Sequence, residues 1–189
     1  IKPVQTDKND QLVVLYTSDP DGQHGFVAAA TKRNYQVLHL GSVIDSHFIG
    51  FLESKLEKTQ FKRVDAESID KLVEKDEVRH SLLTESQEKQ VVALFEQLAK
   101  DDSFTISSSA LSPDDQPVVI TRSEFIRRMN EMAATGGGSM FGGQMKEPKT
   151  MVINTAHPFI QKLVTAEDEK QRQLGQHAFD LALLSQGML

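Results

Sequence analysis

An α/β unit followed by an α+β unit is the fold class this sequence predicts, and three observations predict it. Up to about residue 64, short apolar runs alternate with helical stretches at the spacing of a small parallel sheet covered by helices. In the second half, Thr84 and Thr121 each begin a Thr-x-x-Gln/Glu signal for a helix start, with strand-like runs between and after them. The chain has 189 residues, 25% charged and 39% hydrophobic, which suits a soluble globular protein with one sizeable domain or two small ones. Two are expected, over residues 1–80 and 81–189.

Leu12-Val13-Val14-Leu15-Tyr16 is a short apolar run closed by Ser18-Asp19-Pro20-Asp21-Gly22, as a buried strand ending in a turn would be. A helix fits His24 to Arg33, a strand fits Val37 to Leu40, and a second helix fits about Asp45 to Lys55 with Phe48, Ile49, Phe51 and Leu52 inward. Phe61 to Val64 is the third strand. Strand, helix, strand, helix, strand at this spacing implies right-handed crossovers and a small α/β/α subdomain. After Val64 the chain becomes dense in charge, with Ile69, Leu72, Val73 and Val78 as its apolar residues, and a peripheral helix leading into a linker is expected.

Thr84-Glu85-Ser86-Gln87 matches a capping box, in which the threonine and glutamine side chains each satisfy an unpaired amide of the first turn. Val91, Val92, Leu94, Phe95 and Leu98 give the helix its buried face. Short strands follow at Phe104–Ser108 and Pro117–Thr121, across the turn-rich Ser112-Pro113-Asp114-Asp115-Gln116. Thr121-Arg122-Ser123-Glu124 reads as a second capping box. Met151-Val152-Ile153 is a further strand, Pro158 begins a short helix, and Thr165-Ala166-Glu167-Asp168 opens a last helix to about Ser185. In that helix Leu174, Ala178, Leu181 and Met188 form one apolar row, which Phe179, Ala182, Leu183 and Leu184 broaden. A helix apolar on two sides is buried on two sides, by its own core and by a partner subunit, or by core alone.

The helix from Glu124 is the most sharply amphipathic. Successive residues 100° apart put Phe125, Ile126, Met129, Met132 and Ala133 in one arc and Glu124, Arg127, Arg128 and Glu131 opposite. A loop of glycines carrying Met140, Phe141 and Met145 follows directly. Glycine makes the backbone costly to order, while methionine and phenylalanine gain only by being covered, so the segment calls for something to cover them.

Several function classes are disfavoured. The formal charge of -6 is spread along the chain without a basic stripe, so neither nucleic acid nor an anionic membrane is an expected partner. Without cysteine there is no disulfide or thiolate chemistry, and a reducing compartment is weakly favoured. His24, His39, His47, His80, His157 and His177 form no H-E-x-x-H or comparable spacing, so no metal site is expected. The Ser18–Gly25 turn follows a strand but lacks G-x-G-x-x-G, and it places Asp19 and Asp21 where a phosphate would go. The Gly136–Gly138 run lacks the Gly-Lys-Ser/Thr ending of a phosphate-binding loop. Neither a catalytic residue nor a bound cofactor is expected.

At Asn154-Thr155-Ala156-His157-Pro158, after a strand and before a helix, the chain resembles the ninety-kilodalton heat-shock chaperone family, bacterial HtpG type. V-L-H-L-G-S-V-I-D resembles that family's motif at the end of the middle domain. T-R-S-E-F-I-R-R-M-N-E-M resembles the exposed amphipathic helix of its carboxy-terminal domain, and D-L-A-L-L-S-Q-G its dimerisation helix. The resemblance, over about residues 12 to 189, implies a carboxy-terminal piece of an ATP-dependent chaperone, consistent with a first residue that is not methionine. ATP and magnesium would then act upstream, this stretch would not be an enzyme, and the parent protein would be a cytoplasmic homodimer. Phe125, Met129 and Met132 correspond to client-binding positions, and the chemistry of Met140, Phe141 and Met145 extends that surface. Leu174, Ala178, Leu181, Leu184 and Met188 are the implied dimer contacts, although the family usually continues with one more helix past Leu-Leu-Ser-Gln-Gly. The residues by themselves also leave open a nucleotide- or metabolite-binding α/β domain fused to a regulatory α+β module.

Overall fold

The computed structural model describes residues 2–42, 44–76, 79–99, 104–135 and 148–189, apart from the side chains of residues 2 and 132–135. The described chain is mixed α/β, with two three-stranded sheets and helices on them. It divides into two compact units, Ile1–Asp76 with Arg122–Glu147, and Glu77–Thr121 with Pro148–Leu189.

In the first unit, α1 (Lys2–Gln5) precedes β1 (Leu12–Thr17), α2 (His24–Lys32), β2 (Val37–His39), α3 (Asp45–Lys55), β3 (Thr59–Arg63) and α4 (Ile69–Leu72). The sheet order is β2-β1-β3, and both pairings are parallel. Because β2 lies on one side of β1 and β3 on the other, right-handed crossovers put α2 and α3 on opposite faces. Period-two alternation then divides β1. Val14 and Tyr16 pack with Ile49 and Phe61. The helix α1 is too short to have a sequence signal, yet its Gln5 is fully buried and donates to the carbonyls of Val13 and Gln36, tying it to the β1 and β2 region.

Two expectations for this unit are corrected. Phe48 and Phe51 are 50% and 57% exposed, and only Ile49 of the four proposed inward residues is fully buried. Those four residues span an arc of about 160° at 100° per residue, wider than one face on a sheet can cover. The charge-dense stretch after Val64 is not peripheral either, since Ile69, Leu72 and Val73 are buried and Arg33 of α2 pairs with Asp70 at 3.0 Å.

The second unit begins with α5 (Glu85–Ala99), followed by β4 (Phe104–Ser109) and β5 (Val118–Arg122). The strand β5 leads into α6 (Glu124–Thr135), which belongs to the first unit; β6 (Lys149–Asn154), α7 (Pro158–Val164) and α8 (Asp168–Leu184) return to the second. Its sheet order is β4-β6-β5, with β4 and β6 parallel. The Thr84 capping box is present: Gln87 Oε1 accepts from the Thr84 amide at 3.0 Å, and Thr84 Oγ1 accepts from the Gln87 amide at 3.3 Å. Phe95, Ile120, Met151, Ile153, Ile160 and Phe179 form the core. Asn154 is its polar pin. Fully buried, it accepts from the amides of Leu111 and Ala156 and donates to the Ser112 carbonyl, while His157 Nδ1 caps α7 by accepting from the Phe159 amide.

Candidate functional site

Ser123, rather than Thr121, starts α6. Thr121 stays in β5 and its hydroxyl reaches the Thr150 carbonyl, so the expected capping box does not form. Ser123 Oγ accepts instead from the Ile126 amide, at 3.4 Å. Glu124, which a capping box would fold back onto the first turn, turns inward.

The packed side of α6 is its polar side. Glu124 Oε1 accepts from the Tyr16 hydroxyl at 2.6 Å, from Arg127 Nη2 at 2.8 Å and from Arg128 Nε at 2.6 Å. Arg128 also donates to Glu53 Oε2 on α3 at 2.9 Å and to the Phe61 carbonyl on β3 at 2.6 Å. Arg127, buried over the Tyr16 ring, donates to the Tyr16 hydroxyl and to Glu131, which accepts in turn from Ser46. Helices α3 and α6 therefore run antiparallel, with Ser46 against Glu131 at one end and Glu53 against Arg128 further along. Because Glu53 Oε1 also accepts from the Phe61 amide, both outward backbone groups of Phe61 on the edge strand are occupied, which blocks strand addition there.

Electrostatics keeps Glu124, Arg127 and Arg128 charged and Tyr16 a neutral phenol. Burial alone would raise the Glu124 pKa, but Arg127, the Tyr16 hydroxyl and Arg128 outweigh it and hold the carboxyl below its usual range. Burial, reinforced by the Glu124 charge, pushes the Tyr16 hydroxyl up. For Arg127 and Arg128 burial would lower the pKa, and the surrounding carboxylates more than offset it.

Much of the apolar side of α6 faces solvent: Phe125 is 67% exposed and Met129 37%, with Ile126 half-buried. Met132 lies on the same helix with its side chain outside the described residues, and Met140, Phe141 and Met145 lie outside them altogether. Turning the helix over would bury Phe125 and Met129 for up to roughly 1.5–3 kcal/mol each. It would also take the charged partners from Tyr16, Glu53 and the Phe61 carbonyl, at about 1–3 kcal/mol for each group left unpaired. The two sums are comparable. The observed orientation keeps the bonds of Arg128 to Glu53 and the Phe61 carbonyl and those of Tyr16 to Glu124 and Arg127. Neighbouring α3 also leaves Ile44, Phe48 and Phe51 in solvent. Helical spacing put Phe125 and Met129 on one apolar arc and the family resemblance implied its exposure, whereas Phe48 and Phe51 were read inward because apolar residues on a helix ordinarily face the core; the excess width of the α3 arc was the available signal.

In the second unit, α8 divides its implied contact residues. Ala178 is in the core, Leu174 and Met188 are half-buried against it, and Leu181 and Leu184 stand 65% and 59% exposed, one turn apart. Leu189 is exposed as well.

Beyond β1, a cavity of about 260 Å³ lies at the carboxyl end of the parallel sheet, where open α/β folds hold ligands. Asp45 and Glu131 line it, and the Arg127 facing it is committed to Tyr16, Glu124 and Glu131. The preceding turn closes on itself, Asp19 accepting from the Gly22 amide at 3.0 Å. That lining disfavours a polyphosphate. Among the described residues, no three His, Asp or Glu side chains are placed to hold a metal ion, and no helix is long and apolar enough to cross a membrane.

Comparison with known proteins accords with the resemblance carried by the motifs. The family model described as Hsp90 protein matches residues 4–189. The chain is 37% identical over 172 residues to a "Chaperone protein HtpG" of Porphyromonas gingivalis, covering 89% of this chain and 25% of that protein. A Bacteroides fragilis protein of the same name is 37% identical over 174 residues, with 90% and 25% covered. One from Bacteroides thetaiotaomicron is 37% identical over 171 residues, with 89% and 25% covered. The chain thus spans about a quarter of the length of these relatives.

Proposed function

Since the chain belongs to the Hsp90 family, we propose that it is the part of a molecular chaperone that contacts non-native clients and joins two subunits. The observation that carries this reading is the orientation of α6, whose charged side is packed and whose Phe125 and Met129 are in solvent. Large apolar side chains held outward on a rigid helix can cover exposed apolar groups of another chain. Methionine suits unlike partners because its flexible, polarisable side chain repacks. Met132 continues the row by spacing along α6, Met140, Phe141 and Met145 extend it by composition, and Phe48 and Phe51 of α3 are further exposed apolar side chains of the same unit.

Leu181 and Leu184 form the outward row of α8 through which a second copy would dock, with Leu174, Ala178 and Met188 supporting it from the core side. In this reading ATP and magnesium act in a part of the longer chaperone outside this stretch, this stretch is not itself an enzyme, and the whole works in the cytoplasm.

The test is binding to a permanently unfolded protein, reduced and carboxymethylated α-lactalbumin, with the isolated chain. Met129→Glu and Phe125→Glu should each weaken binding about tenfold without altering the helical circular dichroism. Unchanged affinity in both would remove the client reading. A nucleotide-dependent rise in melting temperature would instead favour a nucleotide-binding module.

A further inference from the structure

We infer that Glu124, Arg127 and Arg128 are positioning residues for client binding: an ion-pair cradle with Tyr16, Glu53 and the Phe61 carbonyl fixes the roll of α6 and so aims Phe125 and Met129 outward. The inference rests on the proposed reading of α6 as the client-contacting helix.

In sequence, Glu124, Arg127, Arg128 and Glu131 are spaced as intrahelical pairs, which on an exposed face contribute little. Here the same groups are engaged by three other elements. Tyr16 comes from β1, Glu53 and Ser46 from α3, and the Phe61 carbonyl from β3. A planar guanidinium has donors in fixed directions, so Arg128, bonded at once to Glu124, Glu53 and the Phe61 carbonyl, admits one roll of the helix. Apolar packing has no such directionality. A helix held only by its Phe and Met side would bury the groups a client needs, and one held by neither side would roll. Charged contacts on the polar side are the means by which an amphipathic helix is both fixed and left with its apolar side free.

Two readouts test the cradle. Chains carrying spin labels at Ser54→Cys and Phe125→Cys report the separation of α3 and α6, and label-free chains report affinity for reduced, carboxymethylated α-lactalbumin. With the cradle intact the distance distribution should be single and narrow. Arg128→Gln should broaden or shift it and weaken binding about tenfold, Arg128→Lys should recover part of both, and Glu53→Gln should reproduce the effect from the other helix. Combining Arg128→Gln with Met129→Glu should cost little more than either alone, because both act on one contact. A narrow, unshifted distribution in Arg128→Gln and Glu53→Gln, with affinity within twofold of the parent, would overturn the proposal. Should Arg128→Gln unfold the chain, Glu53→Gln and Arg128→Lys decide by the same two readouts. If Met129→Glu and Phe125→Glu both leave binding intact, the client reading fails while the distances still decide whether the cradle sets the roll.

Discussion

Helices α6 and α8 share an amphipathic pattern and use it in opposite ways. In α8 the apolar side goes in: Ala178, Phe179 and Ala182 join the core, and Phe179 meets Phe104 edge-on with ring centroids 5.9 Å apart. In α6 the charged side goes in and the apolar side stays out. The hydrophobic pattern specifies that a helix has two faces. Which face is packed depends on what the rest of the unit offers, the apolar sides of α5 and α7 with the core behind them for α8, and a tyrosine, a glutamate and an edge-strand carbonyl for α6.

That contrast is broken most directly by removing one phenylalanine from each helix. Phe179→Ala should cost about 3–5 kcal/mol of unfolding free energy, as for a buried aromatic side chain. Phe125→Ala should stay within about 0.5 kcal/mol of the parent in the same urea titration. Comparable losses would mean that the two helices are packed alike.

Glu124→Ala is the next largest expected effect. It leaves Tyr16, Arg127 and Arg128 without their shared acceptor and should cost roughly 3 kcal/mol, read as earlier loss of amide protection in α6 by hydrogen exchange. Acid should act on the same group more gradually. The folded-state pKa of Glu124 lies below its usual range, so its contribution is present at neutral pH and is lost as pH falls through that depressed value. Amide protection in α6, corrected for the intrinsic exchange rate, should therefore fall as pH drops below the ordinary carboxylate range in the parent and depend less on pH there in Glu124→Gln.

The smallest effect sharpens the α8 side. Gly175 lets α8 approach α5, and an added Cβ would lie 3.0 Å from Leu98 Cδ1 and 3.2 Å from Leu94 Cδ2. Gly175→Ala gains about 1 kcal/mol of helix propensity and loses a similar amount unless those leucine ends shift, so its melting temperature should barely change.

The parallel β1–β3 unit, the Thr84 capping box and the α7 start at Pro158 were legible because each rests on local signals, periodicity or cap chemistry. The start of α6 was misplaced because the pattern at Thr121 suits a capping box, while Glu124 has stronger partners in Tyr16 and the arginines. The same long-range contacts hid the packed side of α6, since nothing local says that Glu53 and Phe61 will meet Arg128. Phe48 and Phe51 were read inward for a related reason: period alone does not say how much of an apolar arc the sheet can cover. The motif around Asn154 and His157 carried the family resemblance, and in the structure it ties strand ends and caps a helix.

Thiol labelling tests the polar-in, apolar-out orientation of α6 most directly, because the chain contains no cysteine of its own. Phe125→Cys should react at close to the rate of an unstructured thiol, and Ala178→Cys in α8 should react at least a hundredfold more slowly under native conditions. Equal protection of the two thiols would contradict the account.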